Sequence, residues 1–128
     1  QLQSKQYIDE HLEIAQKYGK PLVLEEFGYP RDGIRFDKSA TTQARDTYYQ
    51  YIFSLITDRT AQSAGLTGCN FWAWGGLAAP KHLYWQRGDD YTGEPAQEQQ
   101  GLNSVFMSDS TTIANIRTAN QQLKQQSF

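Results

Sequence analysis

The sequence predicts an α/β fold organised around a parallel sheet. Two short apolar runs without polar alternation, at 22–24 and 66–74, suit strands covered on both faces. Each is preceded by a segment of helical periodicity, giving the order helix, strand, helix, strand, long loop, helix. Two such strands cannot cover one another's edges, and three helices have too little sheet to pack on. The pattern therefore reads as one end of a larger barrel-type structure, since an intact (β/α)8 barrel takes roughly 250 residues and this chain has 128.

Residues 4–18 form the first predicted helix. Ile8, Leu12 and Ala15 recur at helical spacing, and Tyr7, His11, Ile14 and Tyr18 widen the stripe. Ser4 is the expected cap, Gly19 the stop, and Pro21 prevents resumption. Leu22, Val23 and Leu24 begin the first strand, which ends at Glu25 and Glu26; Gly28 and Pro30 break it. A charged polar loop covers 29–42. The second helix is expected over about 42–59, with Ala44, Tyr48, Tyr51, Ile52, Leu55 and Ile56 as its buried stripe.

Gly65 ends the next connection, and LTGCNFWAW at 66–74 reads as the second strand, closed by Gly75 and Gly76. Residues 77–108 show little periodicity. Pro80, Gly88, Gly93, Pro95 and Gly101 punctuate them, while Tyr84, Trp85 and Tyr91 argue against disorder. Asp109 or Ser110 is placed to cap a last helix running to about 125, with Ile113, Ile116, Ala119 and Leu123 on its apolar face.

Composition excludes several classes. The net charge of −2, from 12 basic and 14 acidic side chains, gives no electrostatic case for nucleic acid or an anionic membrane. No run is long enough to span a bilayer. Cys69 is alone, so no internal disulfide forms. Neither His11 nor His82 belongs to a zinc-binding spacing. The glycines at 75–76 lack the pattern of a phosphate loop, and Asp89 and Asp90 lack that of a calcium loop.

What remains is a carboxylate pair and a pair of tryptophans at strand ends. In a barrel, chemistry sits at the C-terminal ends of the strands. If Leu22 and Leu24 face the axis, Glu26 does too, while Glu25 turns toward a helix or loop and needs a partner there. Trp72 and Trp74 fall on one side of the alternation at the next strand's end. A flat ring can stack on a pyranose, and a carboxylate can attack or stabilise an oxocarbenium-like centre. The plain alternatives are a capping or solvated role for Glu26 and core filling for each tryptophan.

The stretches KPLVLEEFG, NFWAWGG and GEPAQEQQGLNSVFMSDSTT together resemble the C-terminal part of the glycoside hydrolase family 5 catalytic barrel. Within that family they look most like the endo-β-1,4-mannanases, and the resemblance covers essentially the whole chain. It implies the C-terminal fragment of a (β/α)8 TIM barrel, sixth helix through eighth helix. Residues 22–26 are then the seventh strand and 66–74 the eighth, with strands one to six lying upstream. It also implies that Glu26, before an aromatic-Gly pair, is the nucleophile, supported by Glu25. Trp72 floors the subsite of the attacked sugar, with Trp74 as the reserve candidate.

The same resemblance places His82, Trp85, Arg87, Asp89, Asp90, Glu94 and Glu98 in the eighth loop. Trp85 is the expected cleft contact there, and Glu98 the expected brace. The family's acid/base Glu follows an Asn, and this sequence contains no Asn-Glu pair. The chain alone is therefore expected to lack normal activity. The implied partners are β-1,4-linked mannan or glucomannan and the upstream half of the same barrel, covalent or as a clipped chain. No cofactor is implied. Mannan is extracellular, which implies secretion or the cell envelope. A related β-1,4-glucanase and a non-catalytic carbohydrate-binding remnant are the competing readings. Whether chain ends or interiors are cut is left open.

Overall fold

The computed structural model describes residues 1–61 and 65–126. Its elements are α1 (Leu2–Lys17), β1 (Leu22–Phe27), α2 (Gln43–Ala61), β2 (Leu66–Phe71), β3 (Trp74–Gly76), β4 (Val105–Phe106) and α3 (Ser110–Gln126). β1 and β2 pair in parallel, as the alternation predicts, and β3 and β4 form a second parallel pair. Among the described residues no helix is long and apolar enough to cross a membrane.

α1 begins at Leu2, two residues before the expected start. Ser4 is therefore inside the helix and caps nothing; its hydroxyl instead meets the Tyr48 hydroxyl at 3.2 Å. Ile8 and Leu12 are buried, but Tyr7, Ile14 and Tyr18 are exposed, so the docked stripe is narrower than the sequence suggests. Gly19, at φ +60°, turns the chain out of the helix.

α2 packs on β2 and α3. Ile52, Leu55 and Ile56 are buried as expected, but Ala44 is exposed and Tyr48 and Tyr51 are half-buried. Arg45, Tyr49 and Phe53 are buried in their place. A helix covered on two sides buries a wider arc, and that arc is centred one position along from the predicted stripe. Asp32, eleven positions ahead of α2, caps it by accepting the Gln43 and Ala44 N–H groups at 2.9 Å. The hydroxyl of Thr41, followed by these N–H groups, pulls the Asp32 carboxyl below its ordinary range.

The predicted strand at 66–74 divides in two. β2 stops at Phe71, the Trp72–Ala73 peptide is cis, and β3 resumes at Trp74. Gly75 and Gly76 do not close a strand but form part of β3. A Cβ at Gly75 would lie 2.5 Å from Cε1 of Phe106, which is how closely β3 approaches β4. β4 itself falls in the segment read as lacking regular structure.

The expectation that both strands are covered on two faces does not hold within this chain. Leu22 and Leu24 pack on a core built around Ile8, Leu12, Phe27, Tyr49, Ile52, Ile56 and Leu66. Val23 is 46% exposed on the opposite face. The chain's helices cover one side of the sheet.

A buried ionic cluster ties the loops to the helices. Arg31 donates to Asp109 and to the Ala40 carbonyl. Arg45 donates to the carbonyls of Tyr29, Leu102 and Ser104 and also faces Asp109 at 3.4 Å. Asp109 further accepts the Phe106 N–H at 2.9 Å. Its carboxylate therefore acts as counter-ion and brace for β4 rather than as the expected helix cap.

Candidate functional site

The site begins with an irregularity in β1. Leu24 pairs with Cys69 and Phe27 with Phe71, so three steps along β1 match two along β2. The extra residue falls at Glu25 and Glu26, both of which are exposed, while Phe27 turns back into the core beside Tyr49 and Phe53. The alternation argument for Glu26 thus fails in its premise. Leu22 and Leu24 face the helices, and it is the bulge that frees Glu26.

Glu26, Phe27, Gly28, Trp72 and Asn103 line a shallow recess of about 240 Å³. Glu26 and Trp72 come together as the sequence suggests. The junction is tight. Trp72 N–H donates to the Phe27 carbonyl at 2.7 Å, and a Cβ at Gly28 would sit 2.6 Å from the Trp72 carbonyl oxygen. The Phe-Gly step after Glu26 therefore lets two backbones meet beside the carboxylate.

Glu25 takes a different position. It lines a groove of about 660 Å³ with Tyr7, Ile8, His11, Leu22, Leu24 and Glu26, running along β1 beside α1. Its carboxylate has no hydrogen-bond partner among the described residues. Trp74 is half-exposed, lies edge-on to Phe71 at 6.4 Å, and does not line the recess. Splitting the strand at Trp72–Ala73 separates the two tryptophans that simple alternation puts on one side.

Trp85 also lies outside the recess. Its ring stacks on Tyr91 at 5.3 Å and 12°, and its indole N–H donates to the Asp89 carbonyl. His82 pairs with the Asp89 carboxylate at 2.9 Å, which with the Gln86 N–H holds that carboxyl below its ordinary range.

The loop is braced by Glu94 and not by Glu98. Glu98 is exposed, and its carboxylate has no partner among the described residues. Glu94 is buried and accepts the Thr92 hydroxyl at 2.7 Å, the Gly101 N–H at 3.1 Å, and the Asn103 and Ser104 N–H groups at 2.8 Å. The Ser104 hydroxyl donates to it as well. A carboxylate taken out of water needs its lone pairs filled, and this turn fills them. The sequence signal was present in Thr-Gly-Glu-Pro, a carboxylate at the centre of a turn. Nothing local distinguishes it from the exposed acids around it.

Gly93 has φ +102°, and a Cβ there would lie 2.9 Å from the Ala73 Cβ and from the Trp74 carbonyl oxygen. The segment 92–104 is thus seated directly on the junction of β2 and β3. On the core side, burial pushes the Cys69 thiol up to about 11, so the lone cysteine is neither a thiolate nor exposed to the recess at neutral pH.

Residues 1–127 match a protein-family model described as GH family 5 beta-mannosidase-like. Among solved structures, the chain is similar to a glycoside hydrolase family 5 mannosidase from Rhizomucor miehei. Identity is 29%, the TM-score is 0.85, and the match covers 95% of this chain and 31% of that one. A mutant of that enzyme in complex with mannosyl-fructose matches at 29% identity and TM-score 0.81, covering 96% of this chain and 32% of the other. An endo-β-1,4-mannanase from Thermotoga petrophila shares the fold, with 24% identity and TM-score 0.60 over 97% of this chain and 22% of that one. The chain thus spans about a third of the length of the mannosidase structures it matches. A comparison with curated proteins found no match.

Proposed function

Because the chain belongs to the GH family 5 beta-mannosidase-like proteins, we propose that it is the C-terminal portion of a retaining glycoside hydrolase acting on β-linked mannosides. In this reading α1 is the sixth barrel helix, β1 and β2 are the seventh and eighth strands, and α3 closes the barrel. The observation that carries it is the recess in which Glu26, freed by a strand bulge, meets Trp72.

Glu26 is the nucleophile. Its carboxylate attacks the anomeric carbon of a pyranose lying on Trp72, the glycosidic C–O bond breaks, and a covalent glycosyl-enzyme forms. Water then releases the sugar with net retention. A second carboxyl, about 5–5.5 Å away in such enzymes, protonates the leaving oxygen and later activates the water. The chain holds no Asn-Glu pair to supply it, so it comes from the other strands of the barrel, and the chain alone is inactive. Glu25 faces the groove along β1, where the preceding barrel strand belongs. Trp74 and Trp85 meet more distant parts of a polymeric substrate. The substrate places the enzyme outside the cell or in its envelope.

Two modes of action fit this chemistry. Endo cleavage of β-1,4-mannan or glucomannan is what the resemblance to endo-β-1,4-mannanases implies. Removal of single terminal mannose units is favoured by the higher identity and TM-score toward the Rhizomucor miehei mannosidase than toward the endo-acting enzyme. Digestion of a β-1,4-mannohexaose by the full-length protein separates them, giving mixed shorter oligosaccharides in the first case and mannose alone at early times in the second. Turnover of carboxymethylcellulose in place of mannan would move the assignment to a β-glucanase.

Nucleophile identity has its own test. Glu26→Ala in the full-length protein abolishes hydrolysis. Added azide then attacks the anomeric carbon from the vacated face, yielding an α-mannosyl azide and the freed alcohol. Hydrolysis at the wild-type rate by Glu26→Ala would overturn the assignment.

A further inference from the structure

Asn103 sits at the centre of a backbone segment that two buried side chains, Glu94 and Arg45, hold in the recess. We infer that Asn103 is a sugar-binding residue, its carboxamide hydrogen-bonding a hydroxyl of the pyranose that Glu26 attacks, and that Glu94 is its positioning residue. This rests on the proposed role of Glu26.

Asn103 lines the recess with Glu26 and Trp72, and its Cβ is 3.5 Å from the position a Cβ would take at Gly28. It is therefore across the same narrow opening as the carboxylate. Its backbone is fixed from both sides. Glu94 Oε1 accepts the N–H groups of Asn103 and Ser104, both at 2.8 Å. Arg45 donates to the flanking carbonyls of Leu102 at 2.9 Å and Ser104 at 3.0 Å. Both clamping side chains are buried, Arg45 fully and Glu94 at 6% exposure.

The carboxamide itself is treated differently. Its backbone is clamped by two buried charges, yet the side chain has no hydrogen-bond partner among the described residues. An amide offers two N–H donors and an acceptor oxygen, which suits adjacent sugar hydroxyls. A buried carboxylate is costly unless every lone pair is used. Here that cost produces a rigid backbone under one free polar side chain, which is what a binding group needs to be preorganised.

The test compares kcat/KM of the full-length protein on an aryl β-mannoside and on its monodeoxy analogues. Asn103→Ala is expected to lose about tenfold on the parent substrate, the worth of one hydrogen bond. On the analogue missing the bonded hydroxyl, variant and wild type are expected to agree within about twofold. Glu94→Gln is expected to follow the same substrate pattern. Should it not fold, Thr92→Val loosens the same carboxylate by removing one donor at an isosteric position.

An unchanged Asn103→Ala enzyme, or an equal loss on every analogue, would overturn the binding role. Equal losses for the Glu94 or Thr92 variants on every analogue would overturn the positioning role. Glu26→Gln run alongside tells these failures from failure of the underlying reading, because an active Glu26→Gln enzyme removes the nucleophile assignment itself.

Discussion

Arg31 and Asp109, 78 positions apart, meet in a buried ion pair in which both carboxylate oxygens accept from one guanidinium nitrogen at 2.7 Å. Arg45 approaches the same carboxylate at 3.4 Å. One acid therefore balances two buried guanidinium groups, joining the loop after β1, the start of α2 and the start of α3. Burial pulls the Arg45 guanidinium below its ordinary value, and Asp109 is among the groups that restore it.

Removing Asp109 strands both cations. Asp109→Ala is expected to destabilise the fold by about 3–5 kcal/mol, the range for breaking a buried pair from one side. Asp109→Asn keeps the shape and an acceptor oxygen, so it should cost less. Urea unfolding checks both, and a midpoint unmoved by Asp109→Ala would contradict the role given to this carboxylate.

Gly28→Ala tests the junction beside the proposed nucleophile. The new Cβ would lie 2.6 Å from a backbone oxygen, that of Trp72, which cannot swing aside as a side chain could. Relief requires β1 to move from β2 where Glu26 and Trp72 meet. The expected result is a cost of about 1–3 kcal/mol, typical of overpacking, together with loss of mannoside hydrolysis by the full-length protein. Gly68→Ala is the control, since its Cβ would meet nothing within 4 Å. Equal stability and activity in the two variants would count against the tight junction.

Local signals carried much of this architecture, and its limits are physical. Helical period and Gly19 located α1, and the unalternating runs located β1, β2 and the start of β3. The paired carboxylates and the FWAW tryptophans pointed to one place, where Glu26 and Trp72 do meet. The face of α2 was misjudged because burial of Tyr49 and Phe53 depends on what covers the helix. β4 has only two residues, too few for any period. Glu94 and Glu98 look alike in sequence, and only the folded turn gives one its five donors and leaves the other in solvent. The Arg31–Asp109 pair has no local signature at all.

Asp9 gives the pH dependence a definite sign. It accepts from Lys5 at 2.5 Å in its own helix and from Arg59 Nε at 2.9 Å in α2. The Lys5 hydrogen bond first, and then that of Arg59, hold its carboxyl below the ordinary 3.8. A depressed pKa stabilises the folded state above the unfolded value, and that contribution is lost as pH falls through the lowered folded value. The wild type should therefore exceed Asp9→Asn in stability at pH 6, by under about 1 kcal/mol because the pair is partly exposed. The gap should close below pH 3.8. Urea midpoints measured across pH 2–6 check it, and a gap that widens on acidification would refute the α1–α2 tie.

The two strand-end tryptophans can be told apart by substitution. Trp72 lines the recess with Glu26, whereas Trp74, 52% exposed, leans on Phe71 outside it. A ring beneath the attacked sugar contributes to every turnover, whatever the substrate length. A ring farther out matters only when the substrate reaches it. Trp72→Ala is thus expected to lower kcat/KM of the full-length protein at least about tenfold, about 1.4 kcal/mol of transition-state stabilisation. That loss should be equal on a short aryl β-mannoside and on a polymer. Trp74→Ala should leave the short substrate within about twofold of wild type and show any loss on the polymer alone. Comparing the two substrates for both variants decides the matter. A large loss for Trp74→Ala on the short substrate, with Trp72→Ala unaffected, would transfer the sugar platform to Trp74 and separate it from the recess that holds Glu26.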